Sequence, residues 1–236
     1  MFQGGLTKKA ILKSNDAHEF CKSKCCITIS VGQRYHEADM FKATLASINN
    51  NFQRCTIVMG DSLQRHTMKI LSPLSKEEVY ARANLLGDQW LERNAATIEK
   101  LKIPYQISRW DYWLNHSAYN GKYNIINELY LNDPTFKENV DITSNFFLDR
   151  NQDRIMLERE EAFHLSKEYL IEECAGMLLL ADDDYHFDVY PNKRNRAIDY
   201  VYRKIVSEVN NKLIRAVSIK FKSKIRNFSI ILIFDI

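Results

Sequence analysis

The feature that most constrains this fold is a strand–helix–strand alternation near the start of the chain. Residues 25–32, CCITISVG, alternate along a β-branched run and close on a single glycine. From Ala38 to Asn50, Met40, Phe41, Leu45 and Ile48 recur at helical spacing, and Asn49-Asn50-Asn51 ends the segment. Residues 55–61, CTIVMGD, make a second short apolar strand that again closes on Gly and Asp. Two strands with a helix between them, all within about 35 residues, have the length of a parallel crossover, because parallel neighbours cannot be joined by a hairpin.

The alternation continues downstream. Ser75-Lys76-Glu77-Glu78 carries a capping serine and first-turn acids, which predicts a helix toward Lys102, broken or strained at Gly87 and stopped before Pro104. Residues 103–110 read as a strand. A turn at Asn120-Gly121 precedes a helix that runs to 133, and Asp133-Pro134 opens a further segment through Ser144. Residues 153–180 are mostly helix-forming, FDVYP at 187–191 is a strand closed by Pro191, and Arg194 to Ile214 is strongly helical. The first twenty residues are mixed, and the stretch from Ser218 onward is equally compatible with helix or strand. With no repeat and no low-complexity linker, the reading is α/β: one Rossmann-like domain over residues 1–236, a mostly parallel sheet flanked by helices, and an undetermined tail at about 218–236.

Composition excludes several classes. Net charge is +3, too small to demand a nucleic-acid partner unless the cations cluster. The five cysteines, Cys21, Cys25, Cys26, Cys55 and Cys174, include no C-x-x-C pair, so neither a zinc clamp nor a disulfide framework is expected. The N-terminal segment has no sustained apolar core, and IILIF at 230–234 is far short of the roughly 20 residues of a membrane span. The expectation is a reduced, cytoplasmic protein without a membrane segment.

The polar stretch after the first strand, SVGQRYHEAD, contains a lone Gly32 where a dinucleotide loop needs several glycines to admit a pyrophosphate. No phosphate loop of the G-x-x-x-x-G-K type occurs either. His36, Glu37 and Asp39, or the consecutive Asp182, Asp183 and Asp184, lack the convergent spacing of a metal site, and the aspartates read as a solvated acidic loop. KFKSK at 220–224 reads as a basic surface run, since no His-x-Gly-His type motif accompanies it. Ser30 stands just before the strand-end glycine, near the carboxyl edge of the sheet, where α/β sites form. No G-x-S-x-G elbow surrounds it, so a hydrolase triad is not indicated. By itself Ser30 reads as a structural strand serine rather than a nucleophile.

Two later segments bear on that choice. In KEYLIEECAGML, 167–178, Tyr169 and Glu173 are four residues apart and share a helix face, so a phenol and a carboxylate can converge on one ligand amine. In DVYPNK, 188–193, Tyr190 ends a strand and Pro191 fixes the turn after it. I-S-V-G-Q, then Y-x-x-x-E, then Y-P resembles, over residues 25 to 195, the pattern of the tRNA-dependent cyclodipeptide synthases, in particular the subfamily with Tyr-Pro at the last active-site strand. That family is similar in fold to the catalytic domain of the class I tyrosyl- and tryptophanyl-tRNA synthetases, without their ATP-binding signatures.

The resemblance implies a ping-pong aminoacyl transfer that uses two aminoacyl-tRNAs, no cofactor, no metal and no obligate protein partner. The first aminoacyl group moves to Ser30 as an ester, the amine of the second aminoacyl-tRNA attacks that ester to give a dipeptidyl-enzyme, and cyclisation releases a 2,5-diketopiperazine. By position, Ser30 is the nucleophile, Tyr169 and Glu173 hold the substrate ammonium, Glu173 also serving in proton transfer, and Tyr190 orients Ser30 or the ester. Gly32, Gln33, Val58, Gly60 and Pro191 are implied to contact substrate, Val58 and Gly60 as pocket lining. The stretch equivalent to the family's basic helix carries only Arg82, Arg93, Lys100 and Lys102, so the tRNA surface could instead include Lys193, Arg194, Arg196, Arg203 and Lys204. Two rival readings are a catalytically silent tRNA-binding protein of the same fold and a serine esterase.

Overall fold

The computed structural model describes residues 7–183, 185–207 and 214–224. Six strands form one sheet: β1 (Thr7–Lys13), β2 (Lys24–Ile29), β3 (Arg54–Met59), β4 (Tyr105–Arg109), β5 (Phe187–Tyr190) and β6 (Arg215–Lys224). Their spatial order is β1-β6-β5-β2-β3-β4. All neighbours are parallel except β1 and β6, which run antiparallel with Lys13 opposite Ser218. The chain moves outward from β2 to β3 and β4, then returns to lay β5 on the other side of β2. That reversal is a topological switch point, and it lies between β2 and β5, where a crevice opens outside the strand ends.

The helices are α1 (Ala38–Asn51), α2 (Arg65–Ile70), α3 (Lys76–Ile98), α4 (Trp110–Leu114), α5 (Tyr119–Asn132), α6 (Pro134–Arg150), α7 (Arg159–Asp182) and α8 (Arg196–Tyr200), which passes into a π-helical turn over Val201–Val206. The central strands are buried on both faces. Ile27, Ile29, Ile57 and Met59 point into a layer with Phe41, Ile48 and Trp90, whereas Cys26 and Val58 point the opposite way, into a layer with Leu170, Cys174 and Leu178. This alternation is the two-residue period of a strand covered by helices on each side.

Several local expectations are corrected. The helix α3 is continuous through Gly87, whose missing side chain serves packing: a Cβ there would lie 2.6 Å from Asp61 Oδ2 and 2.9 Å from Arg109 Nη2. The fully buried Asp61 pairs with Arg109 Nε at 2.6 Å and accepts from Trp110 N at 3.1 Å. Asn120-Gly121 is not a turn but the second and third residues of α5, near the end where a helix tolerates glycine at least cost. The segment expected to stop at Ser144 extends to Arg150, with Asp133 capping it and Pro134 at its first position. The helix expected through Ile214 gives way beforehand: Ile214 is buried and leads directly into β6. The opening segment supplies the edge strand β1, and the undecided tail is strand as far as Lys224, whereas IILIF lies outside the described residues.

Helix α7 carries the site and is fixed by contacts on its far side. Gly176 lets Trp110 lie against it so closely that a Cβ would stand 2.6 Å from the Trp110 ring. Trp110 Nε1 donates to Glu172 Oε1 at 2.9 Å, Arg65 Nη1 donates to the same oxygen at 2.8 Å, and His66 Nε2 is 3.2 Å from Oε2. Burial alone would raise the Glu172 carboxyl, but the hydrogen bonds from His66 and Arg65 outweigh it and hold the group below its usual range. A buried charge paired on both oxygens in this way sets the rotation of α7 against α2 and α4.

Candidate active site

The strand β2 stops at Ile29, and Ser30 opens the loop beyond it. Gln33 N donates to Ser30 O at 3.2 Å across a four-residue turn whose third residue, Gly32, has φ +84°. That left-handed conformation suits glycine, and a Cβ there would meet nothing, so the requirement is conformational. The turn places Ser30 against the last residue of β5: Ser30 Oγ is 3.0 Å from Tyr190 Oη. Tyr190 Oη is in turn 2.9 Å from Tyr35 Oη, so three hydroxyls run in a line.

His36 underlies this line. Its side chain is fully buried, and Nδ1 accepts the Ser30 amide at 2.9 Å, which puts the imidazole proton on Nε2. Trp90 Nε1 donates to His36 O at 2.9 Å, and the imidazole meets the rings of Tyr35 and Tyr190 edge-on at 4.6 and 5.7 Å. Burial lowers the His36 pKa to about 4, against the opposing pull of the Ser30 carbonyl oxygen 3.4 Å from Nδ1, so the ring is neutral at ordinary pH. Because its accepting nitrogen is occupied by the serine's main chain, His36 is not a base for Oγ, and no esterase-type triad forms here.

Ser30, Gln33, Tyr169, Glu173 and Tyr190 line one cavity of about 430 Å³. Leu170, Met177 and Ile198 give it an apolar wall, and α6 contributes Phe146 and Arg150. Burial raises the Tyr190 and Tyr169 phenols far above their ordinary values, so both stay neutral. Burial also raises Glu173 to about 7, opposed by a hydrogen bond from Asn195, whose Nδ2 lies 2.9 Å from Oε2. The carboxyl is therefore poised between acid and base near neutrality. Behind it Asp188 pairs with Arg194 Nε at 3.2 Å, and the Arg194 guanidinium lies 4.3 Å over the Tyr202 ring.

Other expected site residues fall elsewhere. Val58 is fully buried in the core layer beneath α7, and Gly60 faces Ile29 O and Leu63, so neither is among the residues lining the cavity. Val58 points to the same sheet face as its register partner Thr28, which does line the cavity, but is itself covered in the layer with Leu170 and Cys174. Pro191 is buried and Gly32 shapes the turn; neither belongs to the cavity wall. Arg82, Lys100 and Lys102 are exposed along or just past α3, and Arg93 is exposed but paired with Glu37 at 2.9 Å. Of the alternative cations, Arg194 is buried in its ion pair, Arg203 pairs with Asp199 and Lys204 with Asp133, whereas Lys193 is exposed on the cavity wall and Arg196 is exposed beside it in sequence.

Sequence reasoning passed over Tyr35 and Asn195, and weighed His36 only as a metal ligand. Asn195 had a readable signal, since an asparagine immediately before a helical run is a common N-cap. The role of His36 had none, because it depends on a loop folding back on its own strand. All five cysteines are unpaired, and no group of His, Cys, Asp and Glu among the described residues could hold a metal ion. Asp182 ends α7 and pairs with Lys122 at 2.9 Å, and Asp184 lies outside the described residues. No described helix is long and apolar enough to cross a membrane.

No protein-family model matches the sequence, and no curated protein does. Solved structures do. A cyclodipeptide synthase from Fluoribacter dumoffii is 35% identical, with 93% of this chain and 100% of that one covered and a TM-score of 0.89. The cyclodipeptide synthase of Candidatus Glomeribacter gigasporarum, bound to Phe-tRNAPhe, is 19% identical over 90% of this chain and 93% of that one, TM-score 0.71. A Mycobacterium tuberculosis protein described as relating cyclodipeptide synthetases to type I tRNA synthetases is 12% identical over 93% and 95%, TM-score 0.65, a likeness of fold. With 35% identity to the Fluoribacter enzyme over that enzyme's whole length, this chain belongs to the cyclodipeptide synthase family, tRNA-dependent aminoacyltransferases.

Proposed function

We propose that this protein joins two aminoacyl groups, each delivered by its own aminoacyl-tRNA, into a 2,5-diketopiperazine through an ester on Ser30, without ATP. The observation that carries the reading is the Ser30–Tyr190 hydroxyl pair at the edge of a cavity that also holds Tyr169 and Glu173. An aminoacyl ester is already activated, so a positioned hydroxyl and a proton path suffice, and no triad or nucleotide is needed. The absence from the sequence of a phosphate loop and of a His-x-Gly-His motif supports the same reading.

In the first step Ser30 Oγ attacks the ester carbonyl carbon, and the terminal ribose oxygen leaves with a proton. Tyr190 holds Oγ from one side, and the hydroxyl line to Tyr35 gives the serine proton a route away. Glu173, as carboxylate, and Tyr169 bind the substrate ammonium. The expectation that the second substrate's amine attacks the seryl ester needs correcting on bond balance. That attack breaks the Ser30 ester and leaves the dipeptide on tRNA. A dipeptidyl-enzyme requires the reverse roles: the amine of the Ser30-bound residue, deprotonated by Glu173, attacks the second tRNA ester. The remaining free amine then attacks the seryl carbonyl, closes the ring and returns a proton to Oγ.

Gln33 together with Tyr190-Pro191 supports membership of the Tyr-Pro subfamily. A single domain that works in the cytoplasm without an obligate protein partner fits this chemistry. Expression in bacteria followed by mass spectrometry of the medium tests the reading: diketopiperazines are expected, and Ser30→Ala is expected to abolish them. Undiminished product from that variant removes Ser30 from the nucleophile's role.

A further inference from the structure

The only hydrogen bond the described residues give the Glu173 carboxyl comes from outside its own helix. Asn195 lies in the loop after β5, and its two amide atoms have separate tasks. Ile198 N, a donor that cannot accept, is 2.9 Å from Asn195 Oδ1, which fixes the carbonyl at the start of α8 as its N-cap. The assignment of the two amide atoms is thereby forced, and Nδ2 is left to donate to Glu173 Oε2 at 2.9 Å. We propose that Asn195 is a positioning residue for the transfer reaction: anchored by the cap of α8, its amide group orients Glu173 and donates to its carboxylate inside the cavity. This rests on the reading of Glu173 as the group that binds and deprotonates the substrate amine.

The surroundings make that donor consequential. Facing Glu173 are Tyr169 and Cys174 from its own helix, Tyr190 and Asp188 from β5, and Asn195 from the following loop. The two phenols and the thiol are neutral, Asp188 is a like charge, and Arg194 is spent on Asp188. Asn195 is therefore the one group among these that favours the ionised carboxyl without carrying charge itself. Removing its donor leaves burial and Asp188 unopposed, and Glu173 then holds its proton to higher pH.

The two tasks can be separated. Asn195→Ser keeps a neutral N-cap acceptor for Ile198 N but is too short to donate to Glu173. Asn195→Ala loses both. For each full-length variant, diketopiperazine formation is measured from charged tRNA across pH, thermal unfolding is recorded, and the Glu173 carboxyl is titrated by carbon NMR with Glu173→Gln for assignment. The expected result for Asn195→Ser is a near-wild-type unfolding temperature, a Glu173 titration and an acid limb both moved up by a unit or more, and product at pH 7 reduced about tenfold. A wild-type pH profile and carboxyl titration in both Asn195 variants overturns the proposal. Full activity in Glu173→Gln overturns it too, but by a different route: the reading of Glu173 fails, even where Asn195→Ser still moves the carboxyl titration.

Discussion

Ser30 Oγ and Tyr190 Oη stand 3.0 Å apart across the seam where the sheet reverses direction. One ends the first crossover strand and the other ends β5, so their meeting depends on β2 and β5 being neighbours although they lie 160 residues apart in sequence. The register that pairs Ile27 with Val189 leaves both strand ends level, with Ser30 and Tyr190 at the same edge. With Tyr35 beyond, the seam carries a line of neutral hydroxyls, which can pass a proton without storing a charge.

Breaking that line at its centre should hurt the first chemical step. Tyr190→Phe keeps the ring, and so its edge contact with His36, but removes the partner of Oγ. Formation of the labelled acyl-enzyme from aminoacyl-tRNA in a single turnover is expected to slow about 10²- to 10⁴-fold. Tyr35→Phe, one hydroxyl further away, should cost about tenfold. Equal rates for Tyr190→Phe and wild type would take Tyr190 out of the acylation step.

Glu173 sets a pH dependence. Its pKa in the fold is about 7, above that of an ordinary carboxyl, so the carboxylate proposed to bind and deprotonate the amine is lost as pH falls below about 7. Product formation at limiting substrate should rise with pH through an acid limb centred there, and Glu173→Gln should be low and flat. The same elevation works against stability. Between the unfolded value and about 7 the native state holds a proton that the unfolded chain has released, so its contribution falls as pH rises. Urea unfolding of Glu173→Gln and wild type should show the variant gaining about 2–3 kcal/mol relative to wild type between pH 5 and 8.

The sheet was legible in advance because its parallel strands are short β-branched runs covered on both faces, and their helices carry periodic apolar residues. Ser30, Tyr169, Glu173 and Tyr190 could be singled out because the order and spacing of their three short motifs together resemble the cyclodipeptide synthase pattern. What sequence could not disclose was decided by packing at a distance. Gly87 and Gly176 look like helix breakers, yet each marks a place where another element presses against the helix. Residues 7–13 lack a strong strand pattern, and only their pairing with β6 makes them one. Val58 points to the same sheet face as the cavity-lining Thr28 but is fully buried in the layer under α7, and strand position alone does not reveal how far that layer covers it.

Those two glycines yield a stability prediction. At Gly176 an added methyl would stand 2.6 Å from the Trp110 ring, which is itself fully buried and tied to Glu172. At Gly87 it would stand 2.6 Å from a buried carboxylate oxygen of Asp61. Neither neighbour has free space to retreat into, so each Gly→Ala substitution is expected to cost about 1–3 kcal/mol in urea unfolding, despite alanine's better helix propensity. Gly121→Ala, where nothing lies within 4 Å, should instead stabilise α5 by up to about 1 kcal/mol. Indistinguishable midpoints for all three would refute the packing account.

His36 predicts an acid limb of stability. The unfolded histidine takes up a proton as pH falls through about 6.5, whereas the buried ring resists protonation until about 4. Stability is therefore lost as pH falls across that window and levels off below it. His36→Asn can keep an acceptor for the Ser30 amide but cannot titrate. Unfolding free energy measured from pH 7 to 4 should fall about 2–3 kcal/mol further in wild type than in this variant. Parallel curves would mean that the ring is charged in the fold.

The tRNA surface can be located through salt. Each phosphate contact contributes about 0.7 to 0.9 to the slope of log affinity against log salt, so a lost contact is read as a lost fraction of slope. The acceptor end must reach Ser30, which makes the exposed cations on the cavity wall, Lys193 and Arg150, the expected contacts nearest the ester. Lys193→Gln and Arg150→Gln should each reduce the slope by nearly one for charged tRNA. Arg93→Gln should reduce it less, because Glu37 already neutralises that guanidinium. A combined Lys100→Gln, Lys102→Gln variant reports whether the end of α3 touches the stem. If only that pair changes the slope, the tRNA approaches along α3 and the cavity-wall cations face solvent.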